Sequence, residues 1–405
     1  MSEPPRGVDT GPAPRDPGGA LAATLGFTLE RWFRQFRRDL PWRRRYDPYH
    51  IWISEMLLQQ TQMERGVAYY LRWLERFPDV ASVAAATEDE VLKMWEGLGY
   101  YGRARNLHRA AQMVMARFDG ALPGNATDLR LLPGIGPYTA GALLSIAFNL
   151  PVPAVDANAE RVLARFLDEP ASVRSAGVRR RFESFVREMM DHVPPRDISQ
   201  GLMEFGALCC TSRRPSCAVC PGAPYCAAWR RGTVADRPSL PKKPSLRRMG
   251  RVAGVLTSPE GRVLLRRRPS EGLWGGLWEF PGQDFSLEVP PFDEVSPKDF
   301  LKKLPASVPE AMLAREFGWA VAVEAAPFLR VRYSYTVHRV EMAVFRCCPK
   351  EGMPKVSGAW RWVPPEELSS LALASGNRAV VQELGSSGGT RGREEPSSSA
   401  VLPLT

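Results

Sequence analysis

Four cysteines near the middle of the chain constrain its fold more than any other feature. They are Cys210, Cys217, Cys220 and Cys226, in the spacing Cys-x6-Cys-x2-Cys-x5-Cys. Four closely spaced thiolates are typical of tetrahedral zinc sites and of iron–sulfur cubes, because both centres bind four sulfur ligands. A zinc ribbon usually pairs two Cys-x2-Cys knuckles, and only one is present here. The spacing predicts a metal centre rather than buried free cysteines, and either metal fits at this point.

The length and composition of the chain favour a globular protein of more than one domain. Its 405 residues exceed what one hydrophobic core usually fills, so we expect two domains. Hydrophobic residues make up 44% and charged residues 24%, which excludes wholesale disorder. No apolar stretch reaches the ~18 residues that span a membrane, and the N-terminus lacks the apolar core of a signal peptide. These features predict a cytoplasmic protein without membrane association.

The charge of the chain favours a polyanionic partner. Lys and Arg number 54 against 44 Asp and Glu, which gives a formal net charge of +10. Cationic surfaces bind phosphate groups with an affinity that does not depend on base sequence. The charge alone is weak evidence for nucleic-acid binding.

Hydropathy periodicity predicts a helical N-terminal half. The predicted helices are Leu29–Phe36, His50–Phe77, Ser82–Ala86, Thr87–Met94, Gly102–Arg117, Pro137–Phe148, Ala157–Phe166, Val178–Met190 and Ile198–Ala207. A basic, proline-rich segment follows and predicts a linker. We therefore place a helical domain at residues 25–231 and the linker at 232–249. Residues 1–24 are rich in Gly and Pro and predict a disordered tail.

Beyond the linker the pattern changes to that of strands. The predicted strands are Val252–Leu256, Val263–Arg267, a long alternating run at Arg330–Arg346, and Trp360–Val363. The first two flank Ser258-Pro259-Glu260-Gly261 and predict a hairpin. One helix is predicted near Pro309–Phe317. These elements predict an α+β domain at 250–382, followed by a disordered tail at 383–405.

A glycine-rich loop joins two helical segments of the first domain. It reads Leu131-Leu132-Pro133-Gly134-Ile135-Gly136-Pro137-Tyr138-Thr139. Gly134 and Gly136 allow unusual φ values, and Pro137 suits the first turn of a helix. Amides at such a helix start favour a phosphate group. An ordinary helix–helix connection explains the loop equally well.

Two carboxylates are candidates for acid–base chemistry. Asp156 directly precedes a predicted helix, where an N-cap role would suffice to explain it. Glu55 interrupts an apolar helix start, and partial burial would raise its pKa enough to carry a proton near neutral pH. A surface position at a helix end would explain Glu55 as well. Together, Glu55 and Asp156 could form the carboxyl pair that cleaves a glycosidic bond.

The helical half resembles the endonuclease III superfamily of base-excision DNA glycosylases in its Leu-Pro-Gly-Ile-Gly loop, the downstream Val-Asp and the cysteine spacing. Several motifs match the MutY family of adenine DNA glycosylases. They are Leu40-Pro41-Trp42-Arg43, Trp52-Ile53-Ser54-Glu55-Met56-Leu57-Leu58-Gln59-Gln60-Thr61, Trp95-Glu96-Gly97-Leu98-Gly99-Tyr100-Tyr101, Gly136-Pro137-Tyr138-Thr139, Gly272-Leu273-Trp274 and Leu277-Trp278-Glu279-Phe280-Pro281-Gly282. The resemblance covers about Leu29 to Trp229, and it continues in the C-terminal half.

This resemblance implies an enzyme that removes adenine paired with 8-oxoguanine or guanine in double-stranded DNA. Glu55 would protonate the flipped adenine and later activate water. Asp156 would stabilise or transiently capture the C1′ cation, supported by Tyr138 and Asn158. The implied fold is multidomain: an all-α helix-hairpin-helix glycosylase domain with an iron–sulfur cluster loop, and a C-terminal α+β Nudix-like domain.

The resemblance also implies the residues that bind DNA and a cofactor. The base pocket would be lined by Trp42, Arg43, Leu58 and Gln200. The stack beside the opposing purine would be entered by Gln60 and Tyr100. Further contacts to DNA would come from Thr61, Leu98, Gly134, Gly136 and His338. Cys210, Cys217, Cys220 and Cys226 would hold a 4Fe–4S cluster. We expect a monomer that acts at the nucleoid of a bacterial cytoplasm.

The chain departs from the family pattern at three places. Ala157 replaces the glycine of Val-Asp-Gly-Asn. The loop that reads 8-oxoguanine is commonly Phe-Ser-His, whereas Tyr335-Thr336-Val337-His338-Arg339 stands here and only His338 is kept. Pro309–Trp319 lacks the acidic series that holds magnesium in Nudix hydrolases, so we expect the second domain to bind rather than hydrolyse.

Three other functions compete with this interpretation. A bifunctional glycosylase/AP lyase needs a lysine in the hairpin helix for a Schiff base, and Tyr138 occupies that position. A non-catalytic DNA-damage-binding protein would be favoured by loss of Glu55 or Asp156, but both are present. A nucleotide pyrophosphatase is disfavoured by the missing carboxylates of the second domain.

Overall fold

The chain forms two compact units in a computed structural model that describes residues 19–241, 245–287, 307–353 and 355–387. One unit is drawn from residues 1–84 and 109–242, and the other from 85–108 and 243–405. Residues 1–18 and 388–405 of the predicted tails lie outside the described residues. In the described part of the chain, no helix is long and apolar enough to cross a membrane.

Helices account for nearly all regular structure before residue 241. They are α1 (Gly19–Phe36), α2 (Pro48–Leu58), α3 (Met63–Arg76), α4 (Val80–Ala85), α5 (Glu88–Met94), α6 (Gly102–Arg117), α7 (Ala126–Leu129), α8 (Pro137–Ala142), α9 (Ala157–Phe166), α10 (Ala176–Met190), α11 (Pro195–Leu208) and α12 (Ala227–Arg231). A π-helical turn at 143–147 extends α8. Helix α5 and the first half of α6 belong to the second unit.

The structure corrects two predicted helices. Helix α1 begins at Gly19 rather than Leu29, so residues 19–24 of the predicted tail are helical, with Ala22 buried. The predicted helix His50–Phe77 is two helices, α2 and α3, separated at 59–62. Gln60 lies in this break with φ 58°. A left-handed residue cannot continue an α-helix, and the break contains neither glycine nor proline to signal it.

One hydrophobic core cluster of the first unit is built from α1, α9, α10 and α11. Leu29 and Phe33 of α1 are fully buried, as are Ile198 and Leu202 of α11. Gly206 of α11 lies so close to α9 that an added Cβ would come within 2.7 Å of the Asn158 Cβ. The lack of a side chain at Gly206 therefore lets α11 pack directly against the start of α9.

Among its described residues, the second unit contains two sheets and two further helices. Its elements are β1 (Arg247–Leu256), β2 (Val263–Arg267), β3 (Trp278–Glu279), β4 (Gly282–Ser286), α13 (Ser307–Phe317), β5 (Val321–Val323), β6 (Leu329–Tyr335), β7 (His338–Pro349), β8 (Trp360–Val363) and α14 (Asn377–Ser387). A mixed sheet has the order β4-β1-β7-β5, with β6 also paired to β7, and an antiparallel sheet has the order β3-β2-β8. Strand β1 runs parallel to β7 with Val252 opposite Ala343.

Both faces of the mixed sheet are buried. Successive residues of a strand point to opposite faces. Val252 accordingly packs in one apolar cluster with Leu313 of α13, and Ala253 packs in another with Val380 of α14. The sheet therefore forms the middle layer of an α/β/α arrangement.

The structure also corrects the predictions for this unit. The predicted hairpin of Val252–Leu256 and Val263–Arg267 is confirmed only at its turn, where Thr257 and Val263 form one antiparallel bridge. Beyond the turn β1 and β2 join different sheets and do not pair as a ladder. The run at 330–346 is two antiparallel strands joined at Thr336, which has φ 45°. Strand β1 starts inside the predicted linker, and α14, which was not predicted, extends into the predicted tail at 383–387.

Candidate active site and cysteine centre

Glu55 lies on α2 at the wall of a cavity. Asp47 caps this helix by accepting a hydrogen bond from the His50 amide, and Pro48 occupies its first turn. Burial raises the pKa of Glu55 to about 7; the Tyr138 hydroxyl lowers it only in part, and the Asp156 carboxylate adds to the rise. A carboxyl group with this pKa is partly protonated near neutral pH and can therefore deliver a proton.

Tyr138 orients the Glu55 carboxyl. Its hydroxyl donates a hydrogen bond of 2.8 Å to Oε2 of Glu55. Burial and the neighbouring carboxylates of Glu55 and Asp156 raise the pKa of Tyr138 well above its ordinary value, so the hydroxyl keeps its proton. Tyr138 is brought there by α8, which begins after Gly136 with Pro137 in its first turn.

Asp156 caps α9, as its position before the helix predicts. Its Oδ1 accepts a hydrogen bond of 2.7 Å from the Ala159 amide, and its Oδ2 accepts one of 2.9 Å from the Asn158 side chain. Burial raises the pKa of Asp156, and these two hydrogen bonds oppose the rise. Both oxygens are thus held in place at the cavity.

Glu204 is a site residue that sequence reasoning missed. This buried carboxylate on α11 forms ion pairs with Arg38 at 2.8 Å and Arg43 at 3.0 Å. Burial acts to raise the pKa of Glu204, but hydrogen bonds from the two guanidinium groups lower it to about 2. Arg43 also donates a hydrogen bond of 3.1 Å to Gln200. An acidic residue in the apolar Leu202-Met203-Glu204-Phe205 run was the available signal, of the same kind as for Glu55.

One cavity of about 570 Å³ joins these side chains. Of the predicted site residues, it is lined by Glu55, Asp156, Tyr138, Asn158, Trp42, Arg43, Leu58, Gln60, Thr61 and Gln200. Met203, Glu204 and Ala157 also line it. Its volume lies within the usual range for small-molecule sites. The cavity therefore brings two carboxyl groups together with aromatic, apolar and amide side chains, which together suit a planar heterocycle.

The predicted site residues Gly134 and Gly136 lie outside this cavity, in the loop between α7 and α8. Gly134 has φ 81°, which favours glycine, and Gly136 is the N-cap of α8. Leu131 at the start of the loop is 54% exposed. The loop is thus exposed at the surface of the first unit.

Leu98, Tyr100 and His338 belong to the second unit and do not line the cavity. Leu98 is 9% exposed and Tyr100 is 51% exposed, with φ 48° at Tyr100. His338 begins β7, and its ring stacks on Tyr335 with centroids 4.8 Å apart. Tyr335 in turn packs edge-on against Trp274 at 4.7 Å.

The four cysteines of the motif converge on a second, smaller cavity. Cys210 follows α11, Cys217 opens a 3-10 turn, and Cys226 is the N-cap of α12. The thiols of Cys210, Cys217, Cys220 and Cys226, together with Cys209, line the cavity with Phe166, Phe205 and Trp229 among its other walls. Burial raises the pKa of Cys210, Cys217 and Cys226. Holding such thiols together as thiolates requires a cation, so the donor set suits a metal centre.

Arg161 of α9 connects the cysteine loop with the Asp156 carboxylate, and Arg165 of the same helix binds the cysteine loop. Arg161 donates to Oδ1 of Asn158 at 2.8 Å and to the Cys210 carbonyl at 2.9 Å. Arg165, which is 3% exposed, donates to the Cys210 sulfur at 3.3 Å. A continuous chain of hydrogen bonds therefore runs from Asp156 through Asn158 and Arg161 to Cys210.

Comparisons with known families identify the two halves of the chain. Residues 53–188 match the HhH-GPD superfamily of base excision DNA repair proteins, and residues 252–383 match the NUDIX domain. These matches confirm the expected combination of a helical glycosylase fold with a Nudix-like domain. A solved structure of a thermostable thymine-DNA glycosylase is 27% identical, with a TM-score of 0.49, and covers 53% of this chain and 100% of its own.

Curated relatives extend the match over most of the chain. The human adenine DNA glycosylase is 32% identical over 88% of this chain and 73% of its own length. The adenine DNA glycosylase of Buchnera aphidicola subsp. Baizongia pistaciae is 31% identical over 63% of this chain and 72% of its own. The chain therefore belongs to the adenine DNA glycosylase family of base excision DNA repair enzymes.

Proposed function

We propose that this protein hydrolyses the N-glycosidic bond of adenine paired with 8-oxoguanine or guanine in double-stranded DNA. The observation that carries the proposal is the pair Glu55 and Asp156 on one cavity, with Tyr138 bonded to Glu55 at 2.8 Å. Two carboxyl groups in different environments can divide acid and counter-charge roles between them.

Glu55 supplies the proton for base departure. Adenine leaves poorly as an anion, so its ring must be protonated as the bond from C1′ to N9 breaks. The electron pair of that bond goes to the base, and the proton comes from the carboxyl of Glu55. A pKa of about 7 keeps part of Glu55 protonated at neutral pH. The hydroxyl of Tyr138 holds the carboxyl in a fixed orientation during the transfer.

Asp156 stabilises the cation that remains on the sugar. Its oxygens are held by the Ala159 amide and the Asn158 side chain, so no reorganisation is needed as positive charge develops at C1′. The ionised Glu55 then accepts a proton from water as the water oxygen bonds to C1′. The products are free adenine and an abasic site, and Glu55 regains its proton.

The remaining cavity residues bind the flipped base. Trp42 and Leu58 offer apolar faces, and Arg43 and Gln200 offer hydrogen-bonding groups. Glu204 fixes Arg43 through a paired carboxylate contact. The surface loop with Gly134 and Gly136, together with Gln60, Thr61, Leu98 and Tyr100, would contact the DNA, and His338 would contact the base opposite adenine.

The cysteine cavity would hold a 4Fe–4S cluster. Its residues fit the group, because the four cysteines of the motif, together with Cys209, line one cavity with aromatic and apolar walls, and Arg165 donates to the Cys210 sulfur. When bound, the cluster would cross-link the loop from Cys210 to Cys226 through four iron–thiolate bonds. Arg161 would transmit that order to the start of α9, because it bonds both the Cys210 carbonyl and the Asn158 side chain.

We further propose that the protein acts as a monomer on nucleoid DNA in the cytoplasm of a bacterial cell. The net charge of +10 would support binding to the phosphate backbone.

A strand-cleavage assay tests the function. The full-length protein is incubated with duplexes that carry adenine opposite 8-oxoguanine, guanine or cytosine, with and without alkali, and with borohydride in a parallel set. We expect strand breaks only after alkali, at the 8-oxoguanine and guanine duplexes, and no borohydride-trapped complex because Tyr138 cannot form a Schiff base. Breaks without alkali together with trapped protein would instead support the glycosylase/lyase alternative.

A further inference from the structure

Residues 85–108 form part of the second compact unit, although they lie within the stretch that matches the HhH-GPD superfamily. Helix α5 of this segment begins with a capping box formed by Thr87 and Glu90, so its start is fixed locally. The end of α5 leads through Trp95 and Glu96 to Tyr100. Contacts between this segment and the rest of the second unit therefore influence the position of Tyr100.

Glu96 links this segment to the rest of the second unit, as Asp89 does through Arg267. Arg378 on α14 donates to Oε1 of Glu96 at 3.1 Å and also to Oε2. The Leu373 amide donates to the same carboxylate at 3.3 Å. The side chains of Glu96 and Arg378 are only 20% and 30% exposed. A two-pronged arginine–carboxylate contact fixes both distance and orientation.

Lys93 completes this contact from one helical turn before Glu96. Its ammonium group pairs with Glu96 at 2.9 Å and donates to the Leu371 carbonyl at 3.2 Å. Arg378 donates to the same carbonyl at 3.1 Å. We call the three side chains of Lys93, Glu96 and Arg378 the Glu96 latch.

The turn that follows Glu96 holds Tyr100 in an unusual position. Gly97, Gly99 and Tyr100 all have positive φ, at 91°, 70° and 48°. The Trp95 indole donates to the Gly99 carbonyl at 3.1 Å. Arg103 donates to the same carbonyl at 3.3 Å. A positive φ strains the backbone of a residue other than glycine, so the surrounding contacts must keep Tyr100 in this conformation. The side chain of Tyr100 is half-exposed.

We infer that the Glu96 latch is a specificity device that sets the position of Tyr100 from the Nudix-like half of the chain. Arg378 holds Glu96, Glu96 adjoins the buried Trp95, and Trp95 bonds the turn that presents Tyr100. The inference rests on the proposed function, and on the family resemblance, which implies that Tyr100 enters the stack beside the purine opposite adenine. The second half of the chain then contributes to the choice of opposite base through Tyr100 as well as through His338. Lys93, Glu96 and Arg378 act as positioning residues.

The test compares three latch variants of the full-length protein: Glu96→Gln, Arg378→Gln and the double variant. Each is measured for single-turnover adenine excision opposite 8-oxoguanine and opposite guanine. We expect each single variant to lower the preference for 8-oxoguanine by about five- to tenfold. The double variant should lose no more than either single variant, because the two residues act as one unit. Arg361→Gln is the matched control, since Arg361 forms an exposed pair with Glu367 at 2.6 Å in the same half of the chain.

Hydrogen exchange of the peptide that contains residues 97–101 supplies a readout that a general loss of stability would not produce. We expect faster exchange of this peptide in both single variants, with peptides of α1 and of β7 unchanged and with exchange in Arg361→Gln equal to wild type. An unchanged preference in folded latch variants would overturn the inference, as would additive losses in the double variant. Failure of the wild-type protein to excise adenine at all would instead refute the proposed function.

Discussion

Replacing Glu55 by Gln should slow adenine excision by orders of magnitude while making the protein more stable at alkaline pH. The substitution keeps the shape of the side chain and an oxygen that can accept the Tyr138 hydrogen bond of 2.8 Å. It removes the proton that the mechanism delivers to adenine. General acid catalysis usually contributes about 10²- to 10⁴-fold to a rate, and we expect a loss of this size. Binding of the mismatch duplex should stay within a few-fold of wild type.

The stability effect follows from the pKa of Glu55, which burial raises from 4.5 to about 7. Between these two values the native state binds a proton that the unfolded chain has lost, so the wild-type free energy of unfolding falls as pH rises through this window. The rise in the pKa of Glu55 corresponds to a loss of about 3 kcal/mol in the free energy of unfolding above pH 7. Access of water to the cavity reduces this loss to about 2 kcal/mol. Glu55→Gln carries no ionisable group at this position. Its gain in unfolding free energy over the wild-type protein should therefore be absent near pH 4.5 and complete above pH 7.

Urea unfolding of both proteins at pH 5 and pH 8 measures this effect, beside a gel shift and single-turnover excision of the same preparations. Glu75→Gln, on the exposed surface of α3, is the matched control. An equal difference in unfolding free energy at both pH values would refute the raised pKa of Glu55. Excision within a few-fold of wild type would remove Glu55 from the mechanism.

Three further substitutions test other parts of the site. Asp156→Asn keeps a good N-cap for α9, so we expect the unfolding free energy to change by no more than about 1 kcal/mol while excision is lost; loss of the fold in circular dichroism would show instead that Asp156 is chiefly structural. The wild-type protein should contain about four irons per chain, and a preparation with one zinc and no iron would contradict the cluster. Cys217→Ser should lower the iron content and the folded yield more than it lowers the excision rate per folded molecule. Glu204→Gln leaves the guanidinium groups of Arg38 and Arg43 without a buried counter-charge, so we expect a destabilisation of about 3 kcal/mol in urea unfolding and weaker binding of adenine-containing DNA; a variant as stable as wild type would refute the role of this ion pair.

Much of the local structure follows from the sequence alone. Helix α6, helix α9, strand β2 and strand β8 have the predicted bounds, because caps, periodicity and β-branched residues specify them locally. Asp156 was predicted as an N-cap on the same local grounds, and it forms that cap. Local signals do not predict that Asp156 and Glu55 line the same cavity, since about a hundred residues separate the two in the chain.

The remaining features depend on contacts between distant parts of the chain. Gln60 adopts a left-handed φ of 58° that its residue type does not announce, so the end of α2 was missed. Glu204 is fixed by arginines more than 160 residues earlier in the chain. The pairing of Glu96 with Arg378 spans 282 residues, and nothing in either segment alone predicts it. Long-range ion pairs of this kind have no periodic signature in a sequence.

The pH dependence of adenine release tests the central claim most directly. Single-turnover release of free adenine from a duplex with adenine opposite 8-oxoguanine is measured between pH 5.5 and 9. Because the acid form of Glu55 is lost as pH passes about 7, the rate constant should fall above that value and approach a tenfold decrease per pH unit. A rate constant that stays level or rises up to pH 9 would contradict the account, since Glu55 would then not supply the proton.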